Sequence, residues 1–435
     1  MNRLFILLAA LLSLGLPAAA APPRATARDS LDAVARDYVQ LVLELGERDE
    51  GYVDAYYGPA AWRNAAHANP RTLPQLAEAA RVLSRRLEVI HVRWPSLTDR
   101  RKRFLAAQLR AASTRLRMLQ GERLSFGEEA LGLYGVEPRL PPLTDFDPIL
   151  ARIDRLVPGD GALAQRVDAF MDRFVIPRDR LEAVMRAAIA ECRRRTVAHI
   201  PLPRGEHFTL EFVTGRSWSG YNWYQGHYGS LIQVNTDQPV RMGRVIDLGC
   251  HEGYPGHHVY NMLLERDLAR GRGWVEYLVY PLYSPQSFIA EGSANYGVEL
   301  AFPGDERLAF ERRVLYPLAG LPDAGADIYI RIQDAIRDLG LARIVIAADF
   351  LDGRIDREEA LRRIQHYALM SRARAEQSLA FITHYRAYVI NYGLGRDLVA
   401  RFVQWGDAPR DRRWLTMSRL LSVPFLPGDL QPAIP

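Results

Sequence analysis

Three histidines and a glutamate fall within eight residues of this chain, in His251-Glu252-Gly253-Tyr254-Pro255-Gly256-His257-His258. Imidazole and carboxylate groups at such spacing are donors for a divalent metal. In the pattern H-E-x-x-H, two imidazoles one helical turn apart hold Zn²⁺, and the glutamate beside the first works on the metal's water. Here a Pro-Gly pair is wedged in before the second histidine. On a regular helix His251 would share a face with position 255, about 6 Å away. That position is Pro255, which carries no ligand atom and disrupts a helix interior. His257 therefore becomes the natural second ligand. His258 is nearly in phase with His251 but about 10 Å along the axis, and a kink at Pro255-Gly256 could bring either histidine to the metal. His257 is favoured, with His258 as an exchanging ligand or just behind it. Asp247, one turn before His251, is placed to orient a ligand imidazole. The third ligand should be a carboxylate from another helix.

Positioning such a site takes rigid elements, and the surrounding sequence reads mostly as helix. Ser30 opens a helix running through Leu45, with Asp32 in its first turn. Gly51 to Pro59 is a turn-rich aromatic loop. Helical periodicity then runs from Leu73 to Leu119, broken near Trp94-Pro95. Further helices are predicted over 146–156, 162–174 and 177–199. Between Pro201 and Pro239 the pattern changes: Phe208–Val213 and Ser230–Asn235 read as strands. Helices return at Arg241 and continue to about Leu421. The fold class is mainly α and multi-helical, with one small antiparallel β-sheet just before the metal-binding helix. Between the two strands, Arg216 to Tyr228 is dense in aromatic and polar groups. Its Trp218, Tyr221, Asn222 and His227 could line a substrate cleft, or its rings could pack on the core.

Composition excludes several classes. The chain has 435 residues, 48% hydrophobic and 25% charged, ordinary for a globular protein. Its net charge is only +5, and Lys102 is the only lysine. That lysine sits in Arg-Lys-Arg, so no phosphate-binding G-x-x-x-x-G-K-[ST] loop exists. The clusters Arg100-Arg101-Lys102-Arg103 and Arg193-Arg194-Arg195 read as solvated helix faces, and no motif points to nucleic acid. No G-x-S-x-G elbow is present for a serine hydrolase. Residues 1–21 have the form of a secretory leader: a basic start, an apolar run from Leu4 to Leu16, and Pro17-Ala18-Ala19-Ala20-Ala21 for cleavage. No lipid-anchor cysteine follows. The mature protein is expected in the periplasm or outside the cell, without stable membrane insertion. Cys192 and Cys250 would then meet an oxidising compartment. A disulfide between them would tie one helix to the start of the metal motif; the alternative is two small buried thiols.

The two motifs together resemble a bacterial domain-of-unknown-function family, number 885, grouped with the thermolysin-like (gluzincin) metallopeptidases. Its members carry H-E-x-x-P-G-H-H and a downstream E-G-x-A-x-Y, matched by His251–His258 and Glu291–Tyr296. The resemblance covers most of the mature chain and implies a metallopeptidase-like fold. It makes Glu291 the third ligand, since Glu-Gly-Ser-Ala-Asn-Tyr is similar to the E-x-x-A pattern on the second helix of thermolysin-like enzymes. Glu299, two turns further, is the weaker candidate. A C-terminal tyrosine before a Gly-x-Gly-like segment also matches, at Asn391-Tyr392-Gly393-Leu394-Gly395. The family commonly has Pro-Gly-Gln-Ala ahead of that tyrosine, where this chain has Tyr388-Val389-Ile390-Asn391.

The implied chemistry is zinc-dependent hydrolysis of a peptide or small amide, with Zn²⁺ on His251, His257 and Glu291 and with Glu252 as general base. An oxyanion donor is still needed. Tyr385, Tyr388 and Tyr392 recur at i, i+3 and i+7 and so share one face of a helix. By resemblance Tyr392 comes first and Tyr385 second. Two alternatives stay open: a helical binding protein with a decayed or structural metal site, and a metal-dependent amidase or esterase. In outline, a leader over 1–21 precedes an N-terminal helical region over 22–200 and a catalytic region over 201–435. The two regions are expected to form one continuous fold with the site between the halves. Substrate preference, endo- or exopeptidase action and oligomeric state are not set by the sequence.

Overall fold

Serine at the helix N-cap does in the folded chain what the sequence predicts. In the computed structural model, which describes residues 30–216 and 218–431, the Ser30 hydroxyl accepts the Ala33 N–H at 3.1 Å and opens the Leu31–Gly46 helix. Such a cap contributes about 1 kcal/mol. Val34, Tyr38, Leu41, Val42 and Leu45 fall on its buried face. The long stretch after Leu73 divides at Trp94-Pro95 into helices Leu73–Glu88 and Leu97–Leu119. The leader lies outside the described residues. Among those described, no helix is long and apolar enough to cross a membrane.

The chain is mainly helical, with two small sheets. Strand β1 (Val53–Tyr56) arises inside the predicted aromatic loop and pairs antiparallel with the distant β5 (Val279–Pro281). The sheet just before the metal motif has three strands in the order β2-β4-β3: β2 (His207–Val213), β3 (Gly220–Gly226) and β4 (Gly229–Asn235). It is mixed rather than wholly antiparallel. β3 and β4 form the expected antiparallel hairpin, but after β2 the chain skips one position, so β4 returns parallel to β2. The unpredicted β3 accounts for the difference, because its mixture of Gly, Asn and aromatics hides the alternation that marks a strand.

At the centre lies the Pro285–Ala301 helix, capped by Ser284 and buried on all sides except at Asn295 and Glu299. A helix apolar all round must be covered all round. Its closest cover is the Ile390–Val403 helix, and glycine on both sides makes the approach possible. A Cβ on Gly292 would stand 2.6 Å from the Gly395 carbonyl oxygen. The two backbones touch there, which brings the C-terminal tyrosines to Glu291. Cys192 and Cys250 are joined in a disulfide with their Cα atoms 5.4 Å apart. It fastens the Leu181–Val197 helix to the residue before His251.

The arginine clusters behave as expected with two exceptions, Arg101 and Arg195, the latter with its side chain 10% exposed between Glu191 and Glu306. Arg100 and Arg103 pair with Asp429, and Arg193 and Arg194 pair with Glu206 and Glu191. Arg101 instead is buried, with a bidentate bond to Glu276 at 2.6 and 3.0 Å and a bond to Asp32 at 2.6 Å. Five guanidinium donors in a planar fork suit this arrangement.

Candidate metal centre

The Met242–Leu248 helix does not continue regularly into the motif. Gly249–Gly253 forms a wider π turn, Tyr254-Pro255 is cis, and a new helix starts at His257. Gly256 closes the reversal: its N–H donates to the Cys250 carbonyl at 3.0 Å. A Cβ there would stand 1.8 Å from the His251 carbonyl oxygen, so only glycine fits. The Pro255 ring in turn rests against Gly297 of the central helix. Because the chain doubles back, His257 returns beside His251 although six residues separate them.

The two Nε2 atoms are 3.1 Å apart, and Glu291 reaches both: His251 Nε2 to Oε2 is 3.3 Å and His257 Nε2 to Oε1 is 3.5 Å. A small tetrahedral cation at about 2.0–2.1 Å from each donor sets its ligand atoms about 3.3 Å apart. The observed triangle has that size. Glu291 Oε2 is buried and has no hydrogen-bond partner, since its contact with His251 lacks hydrogen-bond geometry. A bare carboxylate oxygen at contact distance from the His251 ring nitrogen, on a carboxylate whose other oxygen stands 3.5 Å from that of His257, is what a cation would satisfy. Burial alone would lower the His257 imidazole, but the charges of Glu291, Glu252 and Asp54 outweigh it and raise it to about 9. Burial likewise pushes Glu291 up, yet His257 and His251 hold it well below the usual carboxylate range. The pocket is built to stabilise positive charge.

Glu252, one residue from His251, is 5% exposed, and among the described residues its carboxylate receives no hydrogen bond. It lies against Gly220 at the start of β3, where a Cβ would stand 3.0 Å from Oε1. Burial raises its pKa; His251 and His257 oppose the shift and Glu291 adds to it. Asn222 on β3 donates from Nδ2 to the Glu252 carbonyl at 2.7 Å, fixing the turn to the sheet.

Several expected residues are placed elsewhere. His258 points away from the other two histidines and is fully buried. Its Nδ1 meets Ser230 Oγ at 2.7 Å and its Nε2 meets Glu206 at 3.2 Å. Burial lowers its pKa. The partners of a neutral ring then fix the tautomer: Nε2–H donates to Glu206 and Nδ1 accepts from the Ser230 hydroxyl. Asp247 orients no imidazole; it pairs with Arg307 at 2.9 Å, because the π turn breaks the 3.6-residue register that would set it under His251. Glu299 is taken by Arg396 at 2.7 Å. His227 sits exposed on the β3–β4 turn, where it and Tyr228 take positive φ and give their N–H groups to Glu265. That is the left-handed geometry of a tight hairpin, and it accounts for His227 without a role at the metal pocket. The Trp218 and Tyr221 rings lie 5.3 Å apart, tilted by 36°.

Two groups that the sequence did not single out belong to the site. The Tyr388 hydroxyl, not Tyr392 or Tyr385, donates to Glu291 Oε1 at 2.7 Å. The three tyrosines do not share one helix face. The helix ends at Tyr385, Arg386 takes φ 53°, and a short 3₁₀ turn intervenes before Ile390. Their rings still cluster, with Tyr388 5.7 Å from Tyr385 and 5.8 Å from Tyr392. The second group is Asp54 on β1, held by the Tyr221 hydroxyl. Burial raises it to about 7; His257 opposes that shift, and Glu291 and Glu252 add to it. A search of the sequence for acidic residues in aromatic, loop-like segments is the only signal that would have found it.

Behind the site, Glu206 collects Tyr254, His258 and Arg193. Burial would raise this carboxyl, but the hydrogen bonds from His258, Tyr254 and Arg193 bring it from 4.5 down to about 2. A depressed carboxyl contributes stability above its unfolded value and loses it as pH falls through its folded one. Glu206→Gln is therefore expected to destabilise the protein at pH 7 and to flatten acid unfolding between about pH 4.5 and 2. Denaturant melts at pH 7 and pH 3 measure both effects. Equal losses at the two pH values would remove the charge from the explanation.

No family model matches the chain, and no curated protein matches it. Among solved structures it is similar to a protein from Colwellia psychrerythraea described as a lipoprotein, with 16% identity, a TM-score of 0.48, and 92% of this chain and 76% of that one covered. A second, described as a lipoprotein of unknown function from Shewanella oneidensis, has 13% identity and a TM-score of 0.46 over 90% and 73%. An M32 carboxypeptidase from Deinococcus radiodurans R1 has 12% identity and a TM-score of 0.37 over 92% of both chains.

Proposed function

We propose that this chain is an exported zinc-dependent hydrolase, and specifically a metallopeptidase with Glu252 as its general base. One observation carries the proposal. A buried carboxylate without a hydrogen-bond donor among the described residues stands beside a convergent group of His251, His257 and Glu291. Three protein donors are the pattern of catalytic zinc sites, whereas structural sites use four. A purely structural site has no use for the glutamate. Two imidazoles and a carboxylate suit zinc. The motif's likeness to the gluzincin-related family and the leader-like N-terminus support peptide substrates and export.

When bound, zinc lowers the pKa of a water to about 7 and polarises the scissile carbonyl. The chain's own groups do the rest. Glu252 takes the proton of the attacking water and later gives it to the leaving amine. The Tyr388 hydroxyl holds Glu291 in its orientation, as a second partner behind a ligand does. Burial and the charge of Glu291 raise the Tyr388 phenol, so it stays a donor. Tyr392 and Tyr385, beside it, are the candidates for hydrogen-bonding the developing oxyanion. The start of β3, where Gly220 abuts Glu252, is an edge along which an extended peptide would lie. Trp218 and Tyr221 would flank it. On this proposal the N-terminal region contributes Asp54 and the catalytic region the ligands, so the site lies between the halves.

The test is metal content and turnover together. Purified mature protein is expected to hold one zinc per chain and to cleave members of a peptide mixture. A chelator should abolish cleavage and added zinc restore it. Turnover confined to small amides or esters would make it an amidase or esterase. No stoichiometric metal after zinc is supplied would sink the hydrolase, leaving a helical binding protein.

A further inference from the structure

His258 is the one histidine of the motif that the metal pocket does not use, and its bonds lead away from that pocket. The Ser230 hydroxyl donates to His258 Nδ1 at 2.7 Å, and Nε2–H donates to Glu206 at 3.2 Å. This is the bonding order of a hydrolytic serine triad. Ser230 is only 2% exposed and His258 is fully buried, so no substrate reaches the hydroxyl. The chain of bonds converges instead on Glu206, whose side chain is 4% exposed. Its Oε2 accepts from both His258 and the Tyr254 hydroxyl, and its Oε1 accepts from Arg193 Nε at 2.7 Å.

These partners surround His257 in the sequence. Tyr254 comes three residues before it and His258 directly after it, on the two sides of the Pro255-Gly256 reversal. One carboxylate oxygen thus pins both limbs of the turn that returns His257 to His251. Arg193, which holds that carboxylate, is the neighbour of Cys192, and Cys192 is bonded to Cys250 at the other end of the segment. Residues 250–258 are therefore fastened twice to consecutive residues of the Leu181–Val197 helix. The fastening is covalent just before His251 and runs through Glu206 around His257.

We propose that Glu206 is a positioning residue for the metal centre: it sets the place of His257 as the disulfide sets that of His251. The inference rests on the metal site of the proposed function and adds a determinant that touches neither metal nor substrate. Metal–ligand distances are tolerated within about 0.2 Å, and the two ring nitrogens already stand 3.1 Å apart. A turn free to relax further than that spreads the donors and weakens the metal. Glutamine cannot repeat the arrangement. Three side chains donate to the two carboxylate oxygens, whereas an amide offers one acceptor oxygen and an NH₂ that would face a donor.

The experiment measures zinc affinity and the visible spectrum of the cobalt-substituted protein for wild type, Glu206→Gln, Tyr254→Phe and Glu44→Gln, each shown to be folded by circular dichroism. Metal-free crystal structures of wild type, Glu206→Gln and Tyr254→Phe are compared for the separation of His251 and His257. Glu206→Gln is expected to lose about 10–100-fold in zinc affinity, the range for a partner behind a ligand. Its cobalt bands should shift with the ligand geometry, and its two histidines should stand further apart. Tyr254→Phe leaves the His258 bond and should lose less, in the same direction. Glu44 also collects three bonds, all from Arg71 on the N-terminal side of the chain, and Glu44→Gln should bind zinc like wild type. Unchanged affinity and spectrum in Glu206→Gln overturn the proposal. So does an equal loss in Glu44→Gln, which would make the effect one of general stability. Should Glu206→Gln fail to fold, wild-type affinity and spectrum in Tyr254→Phe overturn it instead. If wild type takes up no zinc, the proposed function fails. A wider histidine separation in the metal-free variants then still supports the positioning role, and an unchanged one overturns it too.

Discussion

Glu252→Gln should keep its zinc and lose hydrolysis by about 10²–10⁴-fold, the range for removing a positioned general base. The amide has the shape of the acid, so the close approach of Gly220 to the side chain stays undisturbed. What changes is the ability to accept a proton. In wild type, acid conditions should do the same job reversibly, with the rate falling as the carboxylate protonates. The residual rate of the variant should lack that limb. Elemental analysis beside kcat and KM separates the two contributions: kcat is expected to fall, with metal content and KM close to wild type. A variant retaining a tenth or more of the rate would hand the base role to another group, and Asp54, ionising near neutrality, is the one in range.

The second large effect concerns Glu291. Glu291→Ala removes one of three donors and leaves His251 and His257 facing each other without the charge that holds them together. Zinc affinity should fall by more than the 10–100-fold typical of losing a hydrogen-bonded partner behind a ligand. Tyr388→Phe removes only such a partner, and about 10–100-fold is its expected loss. The two variants make a graded pair. Thermal melts with and without chelator read the same quantity: zinc at a thousand times its Kd stabilises wild type by about 4 kcal/mol, and that increment should vanish in Glu291→Ala. If Tyr388→Phe binds zinc as tightly as wild type, its hydrogen bond to Glu291 is a packing contact alone.

What the sequence revealed about this site depended on how far apart the participants lie. His251, Glu252 and His257 are visible because one short turn carries them, and Glu291 because its own helix repeats a recognisable pattern. The helix caps, β2 and β4 were equally legible, since each is decided within a few residues. Asp54 was not, because it reaches the pocket on β1, whose pairing with β5 is not encoded locally. Tyr388 was passed over because the resemblance put Tyr392 and Tyr385 first, while helical counting carried through Arg386, where the backbone turns left-handed, set all three on one face. The same error of period misplaced Asp247: a π turn holds more residues than an α turn, so a position four back lands on another face. His227, read either as a cleft residue or as part of a packing loop, stands on the hairpin turn with positive φ.

The disulfide of Cys192 and Cys250 has a bearing on how the protein matures. The bond holds the π turn that carries His251 to a helix from the other half of the chain, before any metal is needed. On the proposed function, the geometry of the donors would be set by an oxidative event, ahead of metal capture. A copy still reduced would carry the same donors on an untethered turn, so on the proposed function oxidation would act as a checkpoint on activity, delaying hydrolysis until the chain reached a compartment that forms disulfides.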